Sequence, residues 1–540
     1  MIVPFVLFIF AVVVCVVYEF RGIPMMAPDI LTVQTATSVM GNYTFKLTFE
    51  QYSVILVCMA FFFTFLRLHE VKVTEKRVFH IAGFIVVALG CGLFTNQIIL
   101  SDFMEEHQIN IRMFRPMESY QKYGGVLTFA RSVGYAVVKK PEGYTTAKVD
   151  QIIQEYEKKS ANEQQSTAKQ YPNIITVVNE TFADIKVLGD FKTNEDYMPY
   201  FHSLKKNCVT GYTYASIVGG QTANTEFELL TGNTLGFLSA GTTAFQLYIH
   251  GQMPSLVSNL KAEGYSGNKA MHPFNPYNYN RPAVYKDFGF TDFIDKFDFP
   301  KNVKRVREYI SDEANVDRII SEYEKNRKKT DQPFYMYNMT IQNHSPYDKD
   351  AANFKQPIKI ESSKYDAEAN RYLNLIKYSD DSLKQLTSYF EKCKEPTIIL
   401  FLGDHQPRLT DEFMNKITNG QYQTWSSEQM MKRYQVPFVI WANYDIKEQH
   451  IEKTSMNYIQ SILTKTAGVK MTGYQRFLNE VRKEVPTITS QGYWGKNGKF
   501  YQINDKGSPY YGIIQKYRMI QYNMMFDKKN RRDSFFEVSK

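Results

Sequence analysis

Residues 172–178 read Pro-Asn-Ile-Ile-Thr-Val-Val, and this short β-branched, apolar run after a proline predicts a buried parallel strand. Three later runs have the same character, at Phe334–Thr340, Thr397–Leu402 and Val436–Ala442. Helical patterns separate the runs, the clearest at Tyr365–Lys392 and another at Val303–Lys325. Strands that alternate with helices predict an α/β sheet covered by helices on both faces.

Polar side chains follow these strands, where ligands bind in an open α/β sheet. Glu180 comes after the first strand, His344 after the second, and Asp404 and His405 after the third. Glu180, Asp404 and His405 could bind one divalent ion together. Two carboxylates and one imidazole form a mostly oxygen site, which favours Mn²⁺ or Mg²⁺ and leaves Zn²⁺ open.

A glycine-rich turn, Gly219-Gly220-Gln221-Thr222, leads into a helical segment. The start of a helix favours an anion, either a phosphate or an alkoxide. Coordination to a metal would lower the pKa of the Thr222 hydroxyl and make it a nucleophile. Taken singly, Thr222 is more often a helix cap and His344 a structural residue. Their common place at the strand ends of one sheet favours a functional site.

The first hundred residues are strongly apolar and predict an all-α transmembrane region. The runs Ile2–Tyr18, Tyr52–Leu68 and Val78–Leu100 each approach the roughly 20 residues needed to span a bilayer. The basic loop Arg67–Arg77 is predicted to be cytoplasmic, and Gly22–Gln51 to lie outside. Everything after about residue 101 is then outside the cell. A signal peptide is less consistent with the first run, which lacks a basic start.

The rest of the chain is predicted to comprise an extracellular connector at 101–170, a catalytic domain at 171–500 and a C-terminal tail at 501–540, with a basic, solvated end at Tyr517–Lys540. A polar helix is predicted near Val149–Lys169. The net charge of +9 suits an anionic lipid or polyphosphate polymer, and no basic stripe at helical spacing indicates nucleic acid. Cys208 and Cys393 are predicted to be two isolated thiols rather than a disulfide.

Four motifs together resemble the lipoteichoic acid synthases and related phosphoglycerol transferases of the sulfatase and alkaline phosphatase superfamily. In chain order, they are the first strand with Asn179-Glu180-Thr181, the segment Gly220–Glu228, the segment Asn343–Pro346, and Gly403-Asp404-His405. The resemblance runs from the apolar runs to about residue 470. It implies a sulfatase/alkaline-phosphatase-like sheet flanked by helices, in a protein of the bacterial cell membrane.

The resemblance also implies roles for individual residues. Glu180, Thr222, Asp404 and His405 would be the ligands of one ion, typically manganese, with Thr222 also the nucleophile. His344 would assist proton transfer or stabilise charge near the transferred phosphate. The segment Met271–Arg281 resembles the family's substrate segment, which implies that His272, Tyr279 and Arg281 bind substrate. Tyr279 stands where these synthases typically have tryptophan, so the headgroup stays open.

The reaction implied is transfer of glycerol phosphate from phosphatidylglycerol, through a phosphorylated Thr222, to a glycolipid-linked or cell-wall polymer. Phosphoethanolamine transfer from phosphatidylethanolamine is an alternative with a similar fold. Hydrolysis of a phosphodiester and an inactive membrane-bound binding or scaffold protein are two more. A sulfatase activity is disfavoured, because Thr222 stands at the nucleophile position and no Cys/Ser-x-Pro-x-Arg segment occurs.

Overall fold

The computed structural model describes residues 2–21, 24–27, 52–53, 56–57, 59–60, 63–64, 77–100, 103–106, 116–136, 138–160, 170–239, 242–361, 366–420 and 422–538. The chain divides into two compact units. One contains residues 1–139 together with 239–242, and the other residues 140–238 and 243–540.

The described part of the first unit is helical. Its helices are α1 Ile2–Arg21, α2 Arg77–Phe94 with a π-helical continuation at Thr95–Leu100, α3 Phe103–Glu106, α4 Pro116–Tyr123 and α5 Gly125–Ala136. Within the described residues, no helix combines the length and apolar character that a membrane crossing requires. The second apolar run and the two loops used to assign orientation lie largely outside the described residues. The spans and their orientation stay predictions.

The second unit contains the strands. They are β1 Asn173–Asn179, β2 Cys208–Tyr214, β3 Ser266–Met271, β4 Asp292–Ile294, β5 Arg305–Val306, β6 Tyr309–Ile310, β7 Phe334–Met339, β8 Thr397–Gly403, β9 Gln435–Ala442, β10 Gln449–Ser455, β11 Thr487–Thr489, β12 Gly492–Trp494 and β13 Phe500–Tyr501. The described residues form one eight-stranded sheet in the order β10-β2-β9-β8-β1-β7-β3-β4, a three-stranded sheet β11-β12-β13 and a hairpin β5-β6. All four predicted strands are present.

One predicted strand runs against the others. In the large sheet, β9 is antiparallel to both of its neighbours, β8 and β2, whereas the remaining pairs are parallel. The expectation of a parallel strand is therefore wrong for β9. The chain between β8 and β9 does not cross back to the opposite edge of the sheet, so β9 starts near the edge where β8 ends and runs in the reverse direction, with Leu402 paired to Phe438 and Ile398 to Ala442.

Helices of the second unit surround this sheet. They are α6 Thr146–Ser160, α7 Pro199–Ser203, α8 Thr222–Thr231, α9 Ala244–Leu247, α10 Leu256–Ala262, α11 Arg281–Phe288, α12 Asp312–Arg327, α13 Ala367–Phe390, α14 Asp411–Ile417, α15 Ser427–Met430, α16 Met456–Thr466, α17 Gly473–Glu484, α18 Tyr511–Met525 and α19 Asp533–Phe536. Ile175 and Val177 of β1 belong to the hydrophobic core that contains the apolar sides of α12 and α13. Ile174 and Val178 point to the opposite face and are also buried. Both faces of the central strand are covered, as predicted.

The polar helix predicted near Val149–Lys169 is present as α6, and residues 161–169 lie outside the described part of the chain. The two helices predicted between the strands have different outcomes. The helix at Tyr365–Lys392 is confirmed as α13, which begins after Asp366, whose carboxylate accepts from the Ala369 N–H at 2.9 Å. The helix predicted at Val303–Lys325 is wrong over its first residues. There the chain forms the hairpin β5-β6, and α12 begins only after Ser311 caps it through the Ala314 N–H.

The end of the chain is packed against the second unit. Phe535 and Phe536 are buried, and Arg532 forms a bidentate ion pair with Asp150 of α6. The interpretation of Tyr517–Lys540 as a solvated end is therefore wrong for this segment, although Lys528 and Lys529 are exposed. Cys208 and Cys393 are free thiols, as predicted.

Candidate active site

Three of the predicted residues meet at the carboxyl edge of the two central strands. Glu180 directly follows β1, and Asp404 and His405 directly follow β8, which pairs with β1 in parallel. One potential ligand atom of each lies within 4.8 Å of the others. His405 Nε2 is 3.2 Å from Asp404 Oδ2 and 3.8 Å from Glu180 Oε1. All three side chains are buried.

Hydrogen bonds fix these side chains with their remaining atoms facing one another. Asp404 Oδ1 accepts from the backbone N–H groups of Thr181 at 2.6 Å and His405 at 2.8 Å. The His405 Nδ1 lies 3.0 Å from the Gln406 carbonyl, so Nδ1 carries the proton and Nε2 a lone pair. Asp404 Oδ2 and His405 Nε2 are buried and have no hydrogen-bond partner among the described residues. Two facing lone pairs without a proton between them fit a cation.

The electrostatics of these side chains also favour a bound cation. Burial raises the pKa of Glu180 to about 8, with the neighbouring charge of Asp404 acting in the same direction. Burial makes it costly to ionise these two carboxylates, and in a medium of low dielectric the two charges also repel each other. A divalent ion removes both the cost of burial and the repulsion. These residues therefore fit a metal centre for two reasons. Asp404 Oδ2 and His405 Nε2 have no hydrogen-bond partner among the described residues, and two carboxylates with one imidazole suit a divalent ion.

The turn before Thr222 brings α8 to the same place. Gly219 and Gln221 have φ values of 69° and 65°, in the left-handed region, and the Gly219 N–H donates to the Gln406 carbonyl at 3.0 Å. The Thr225 hydroxyl donates to the Asp404 carbonyl at 2.8 Å. Residues three apart share one helix face, so Thr222 lies on the face of α8 that is bound to Asp404. Thr222 is the first residue of this helix and is 6% exposed.

His344 lies in the loop that follows β7. Its Nδ1 lies 2.7 Å from the Ser345 carbonyl, which assigns the proton to Nδ1 and leaves Nε2 as an acceptor. Burial lowers the pKa of His344, and the charge of Arg307 acts in the same direction. Arg307 donates to the carbonyls of Gln342, His344 and Pro346 at 2.6–2.9 Å. The loop is thus held by one guanidinium, a role that the sequence did not reveal.

The predicted substrate residues lie after β3. His272 is buried, and its Nδ1 lies 3.0 Å from the Met339 carbonyl. Burial holds the pKa of His272 well below its ordinary value, and the charge of Arg281 adds to the effect. Arg281 lies over the Tyr279 ring, with Cζ 5.1 Å from the ring centroid. Tyr279 and Asn280 have φ values of 59° and 56°, so two consecutive left-handed residues precede α11.

Sequence reasoning missed the partner of Arg281. Glu226, in the second turn of α8, accepts from Arg281 Nε at 3.1 Å and Nη2 at 2.7 Å. It also accepts from the hydroxyls of Tyr285 at 2.5 Å and Tyr337 at 3.1 Å. Burial alone would lower the pKa of Arg281, but the Glu226 carboxylate outweighs it and raises the pKa. The sequence contained one signal of this ion pair, the acidic residue Glu226 between Thr225 and Phe227. A carboxylate that is buried requires a cation as its partner.

A second polar network supports the ends of β1 and β7. Asn179 donates to Asp312 Oδ2 at 2.7 Å, and Asn343 donates to Asn179 Oδ1 at 3.0 Å. The Ser379 hydroxyl of α13 donates to the same Asp312 oxygen at 2.6 Å. This network fixes the residue before Glu180 relative to the residue before His344.

Comparisons with known proteins agree with this geometry. The sulfatase family model matches residues 172–469. A Rhizobium meliloti (strain 1021) protein whose name assigns it to cyclic beta-1,2-glucan modification is 30% identical over 433 residues, covering 79% of this chain and 65% of that protein. A lipoteichoic acid synthase of Staphylococcus saprophyticus is 23% identical over 374 residues, covering 66% of this chain and 55% of the synthase.

A solved structure shares the fold. The Streptococcus pyogenes phosphoglycerol transferase GacH, in complex with sn-glycerol-1-phosphate, is similar at a TM-score of 0.60 and 20% sequence identity. The similarity covers 74% of this chain and 100% of that one. The chain thus spans 65% and 55% of the length of the two curated relatives, and it contains the whole fold of the solved one.

Proposed function

Because this chain belongs to the sulfatase family, in the group of the lipoteichoic acid synthases and phosphoglycerol transferases, we propose that it transfers a phosphoglycerol group through a covalent intermediate on Thr222. The donor is phosphatidylglycerol, and the acceptor is a hydroxyl of a glycolipid-linked or cell-wall polymer. The enzyme is held in a bacterial cell membrane with its second unit outside the cell.

One observation carries the proposal. The Thr225 hydroxyl, one turn after Thr222 in α8, donates to the Asp404 backbone carbonyl, and the orphaned Asp404 Oδ2 lies close to His405 Nε2 and Glu180. A hydroxyl at a helix start, next to a set of ligands for a cation, suits attack on a phosphorus atom. Glu180, Thr222, Asp404 and His405 would hold the ion, Mn²⁺ for preference, with Mg²⁺ or Zn²⁺ as alternatives. When bound, it supplies positive charge that lowers the pKa of a hydroxyl and neutralises phosphate oxygens.

The reaction has two displacements. In the first, the Thr222 oxygen bonds to the phosphorus of phosphatidylglycerol, and the bond to the diacylglycerol oxygen breaks. The Thr222 proton ends on diacylglycerol. In the second, the acceptor oxygen bonds to the same phosphorus, the Thr222 oxygen leaves, and the acceptor proton returns to it. In each displacement His344 Nε2, with its lone pair, takes the proton from the attacking oxygen and passes it to the leaving oxygen. One phosphodiester replaces another, so no nucleotide is needed.

The substrate residues are assigned by their hydrogen-bonding capacity. His272 is neutral and donates through Nδ1 to the Met339 carbonyl, so its Nε2 can only accept. A glycerol hydroxyl donates to such an atom, whereas a phosphate oxygen does not. Arg281 binds Glu226 through Nε and Nη2, which leaves Nη1 as the guanidinium nitrogen available for a phosphate oxygen. His272 thus recognises the glycerol, and Arg281 the phosphate.

The test is a mass measurement on the peptide that contains Thr222. The full chain is incubated with Mn²⁺ and phosphatidylglycerol or, separately, phosphatidylethanolamine, with Thr222→Ala and metal-free protein as controls. A glycerophosphate adduct on Thr222, lost in both controls, is the expected result. A phosphoethanolamine adduct would keep the nucleophile and change the donor. A folded, metal-loaded protein that forms neither adduct and releases no diacylglycerol would refute the proposal.

A further inference from the structure

Two aromatic side chains of the second unit project into solvent. Tyr277 is 70% exposed and Phe297 is 72% exposed. Among the described residues of this unit, the other large apolar side chains are buried or half-buried. Single exposed apolar residues are ordinary on protein surfaces. These two residues are of interest because of their position relative to the candidate active site.

Both lie in loops at the edge of the sheet that carries the candidate active site. Tyr277 follows β3, and Phe297 follows β4, its parallel neighbour. The two loops touch, because the Lys296 N–H donates to the Phe274 carbonyl at 3.4 Å. The first of them also carries His272 and Arg281. The exposed aromatics therefore lie on two touching loops, the first of which also carries the residues proposed to bind the substrate headgroup.

Each aromatic residue is held outward by its own turn. Asp295 accepts from the Phe297 N–H at 2.7 Å, and the Asp295 N–H donates to Asp298 at 2.9 Å, which closes a capping box around Phe297. The Tyr277 N–H donates to Asn275 Oδ1 at 3.2 Å, and its carbonyl accepts from the Asn280 N–H at 3.2 Å. Fixed turns present these rings at little cost in conformational entropy.

A cation completes the arrangement. Lys296 Nζ lies 5.0 Å from the Phe297 ring centroid and 5.9 Å from that of Phe274. Aromatic rings beside lysine are the residues that proteins place at the boundary between water and lipid. There the rings enter the headgroup layer, and the ammonium group stays with the phosphates. Two strongly exposed rings on separate turns suit a surface better than a small ligand.

We propose that Tyr277, Lys296 and Phe297 form a rim that enters the headgroup layer of a phospholipid bilayer and holds the active-site entrance against it. This rests on the proposed function, since a lipid donor lies in that layer. The occupant is the lipid surface itself. The experiments below also distinguish two other occupants, a glycan stacked on the rings and a second copy of the chain.

The first experiment measures contact without catalysis. Tyr277→Trp and, separately, Phe297→Trp are made in the full chain and placed in vesicles of phosphatidylglycerol and phosphatidylcholine whose acyl chains carry bromine. Trp425, Trp441 and Trp494 are the native background, so each variant is read against the unsubstituted chain. Asp331→Trp is the matched control, because Asp331 is 98% exposed and precedes β7, at the opposite edge.

The bromine should quench the added tryptophan in the Tyr277→Trp and Phe297→Trp variants and leave that of the Asp331→Trp variant unquenched. This difference is expected because only the rim would reach the lipid. Equal quenching of the added tryptophan in all three variants, or in none of them, would overturn the proposal.

The second experiment separates the rim from the chemistry. The double variant Tyr277→Ser/Phe297→Ser is assayed on phosphatidylglycerol in vesicles and on a short-chain phosphatidylglycerol below its micelle concentration. On vesicles, the apparent KM should rise about 100-fold, since each of the two buried rings contributes roughly a factor of ten. On the monomeric lipid, kcat and KM should stay as in the unsubstituted chain.

The other outcomes are decisive. An equal loss on both lipids would make the rings part of the substrate site, and a loss confined to the acceptor step would indicate a glycan. Concentration-dependent dimerisation removed by the double variant would indicate a second copy of the chain. Each of these overturns the proposal. If the unsubstituted chain forms no adduct at all, the proposed function fails, and quenching alone still decides whether the rim meets lipid.

Discussion

Glu226 and Glu228 are two buried acids on one helix, and the same substitution should affect them very differently. Glu226 is the counter-ion of Arg281, which is itself buried. Replacing Glu226 by glutamine leaves that guanidinium without a charge partner, and breaking a buried ion pair from one side costs about 3–5 kcal/mol. Glu228 instead accepts from the Ser216 hydroxyl at 2.7 Å and the Leu235 N–H at 2.9 Å, which are neutral donors. A glutamine oxygen accepts from both, so at pH 5, where burial keeps the Glu228 carboxyl of the folded state largely protonated, Glu228→Gln should change stability by only about 1 kcal/mol.

The assay is urea unfolding followed by tryptophan fluorescence. All three tryptophans of the chain lie in the second unit, so the signal reports on the unit that contains both acids. Adding Arg281→Met to Glu226→Gln should restore about 2 kcal/mol or more, because it removes the stranded charge. Equal losses for the two glutamine variants, or a Glu226→Gln protein within about 1 kcal/mol of the unsubstituted chain, would refute the reasoning.

Three further predictions concern neighbouring residues. Burial raises the pKa of Glu228 from 4.5 to about 7, so the folded state binds the extra proton, and stability should fall by roughly 3 kcal/mol as pH rises from 4.5 to 7. Glu228→Gln should flatten that slope in unfolding curves taken at pH 5 and pH 7.5, and an unchanged slope would contradict the assignment. Asp404→Asn should lower Mn²⁺ affinity by at least about 100-fold, measured by metal content after dialysis, whereas Glu228→Gln should keep its ion. Arg307→Ala frees the carbonyls around His344 and should lower kcat for adduct formation by about 10–100-fold without unfolding the protein. Arg307→Lys should recover part of that loss. An unchanged kcat would show that Arg307 is not needed to position the His344 loop.

The parts of the fold that the sequence predicted are those with a strong local signal. β1, β7, β8 and β9 are continuous apolar runs, since both of their faces are buried. Two of the missed strands, β3 and β10, lack that signal. β3 reads Ser-Gly-Asn-Lys-Ala-Met, and β10, at an edge of the sheet, is exposed at several positions. Their pairing is decided by the neighbours they meet, which local composition does not encode.

The residues of the candidate site also divide into those that the sequence predicted and those that it did not. Glu180, Asp404 and His405 could be placed together because they directly follow strands, and strand ends meet at one edge. The pairing of Glu226 with Arg281 depends on a contact across 55 residues, and Arg307 reaches the His344 loop from a hairpin that the sequence presented as helix. The roles of Thr222 and His344 in catalysis stay predictions, to be decided by the adduct measurement.

The position of β1 in the middle of the sheet has a consequence for synthesis. Among the described residues β1 is the first strand to emerge, but its partners are β7 and β8, and Thr397, the partner of Asn173, comes 224 residues later. At ribosomal rates of about 5–20 residues per second, β1 waits roughly 10–45 s for that second neighbour. During this time an apolar strand is exposed with at least one open edge, and with both edges open until β7 has been synthesised. The large sheet therefore cannot close around β1 until β8 has been synthesised, and a chaperone that shields Asn173–Asn179 should raise the yield of this unit more than one that acts on any later strand.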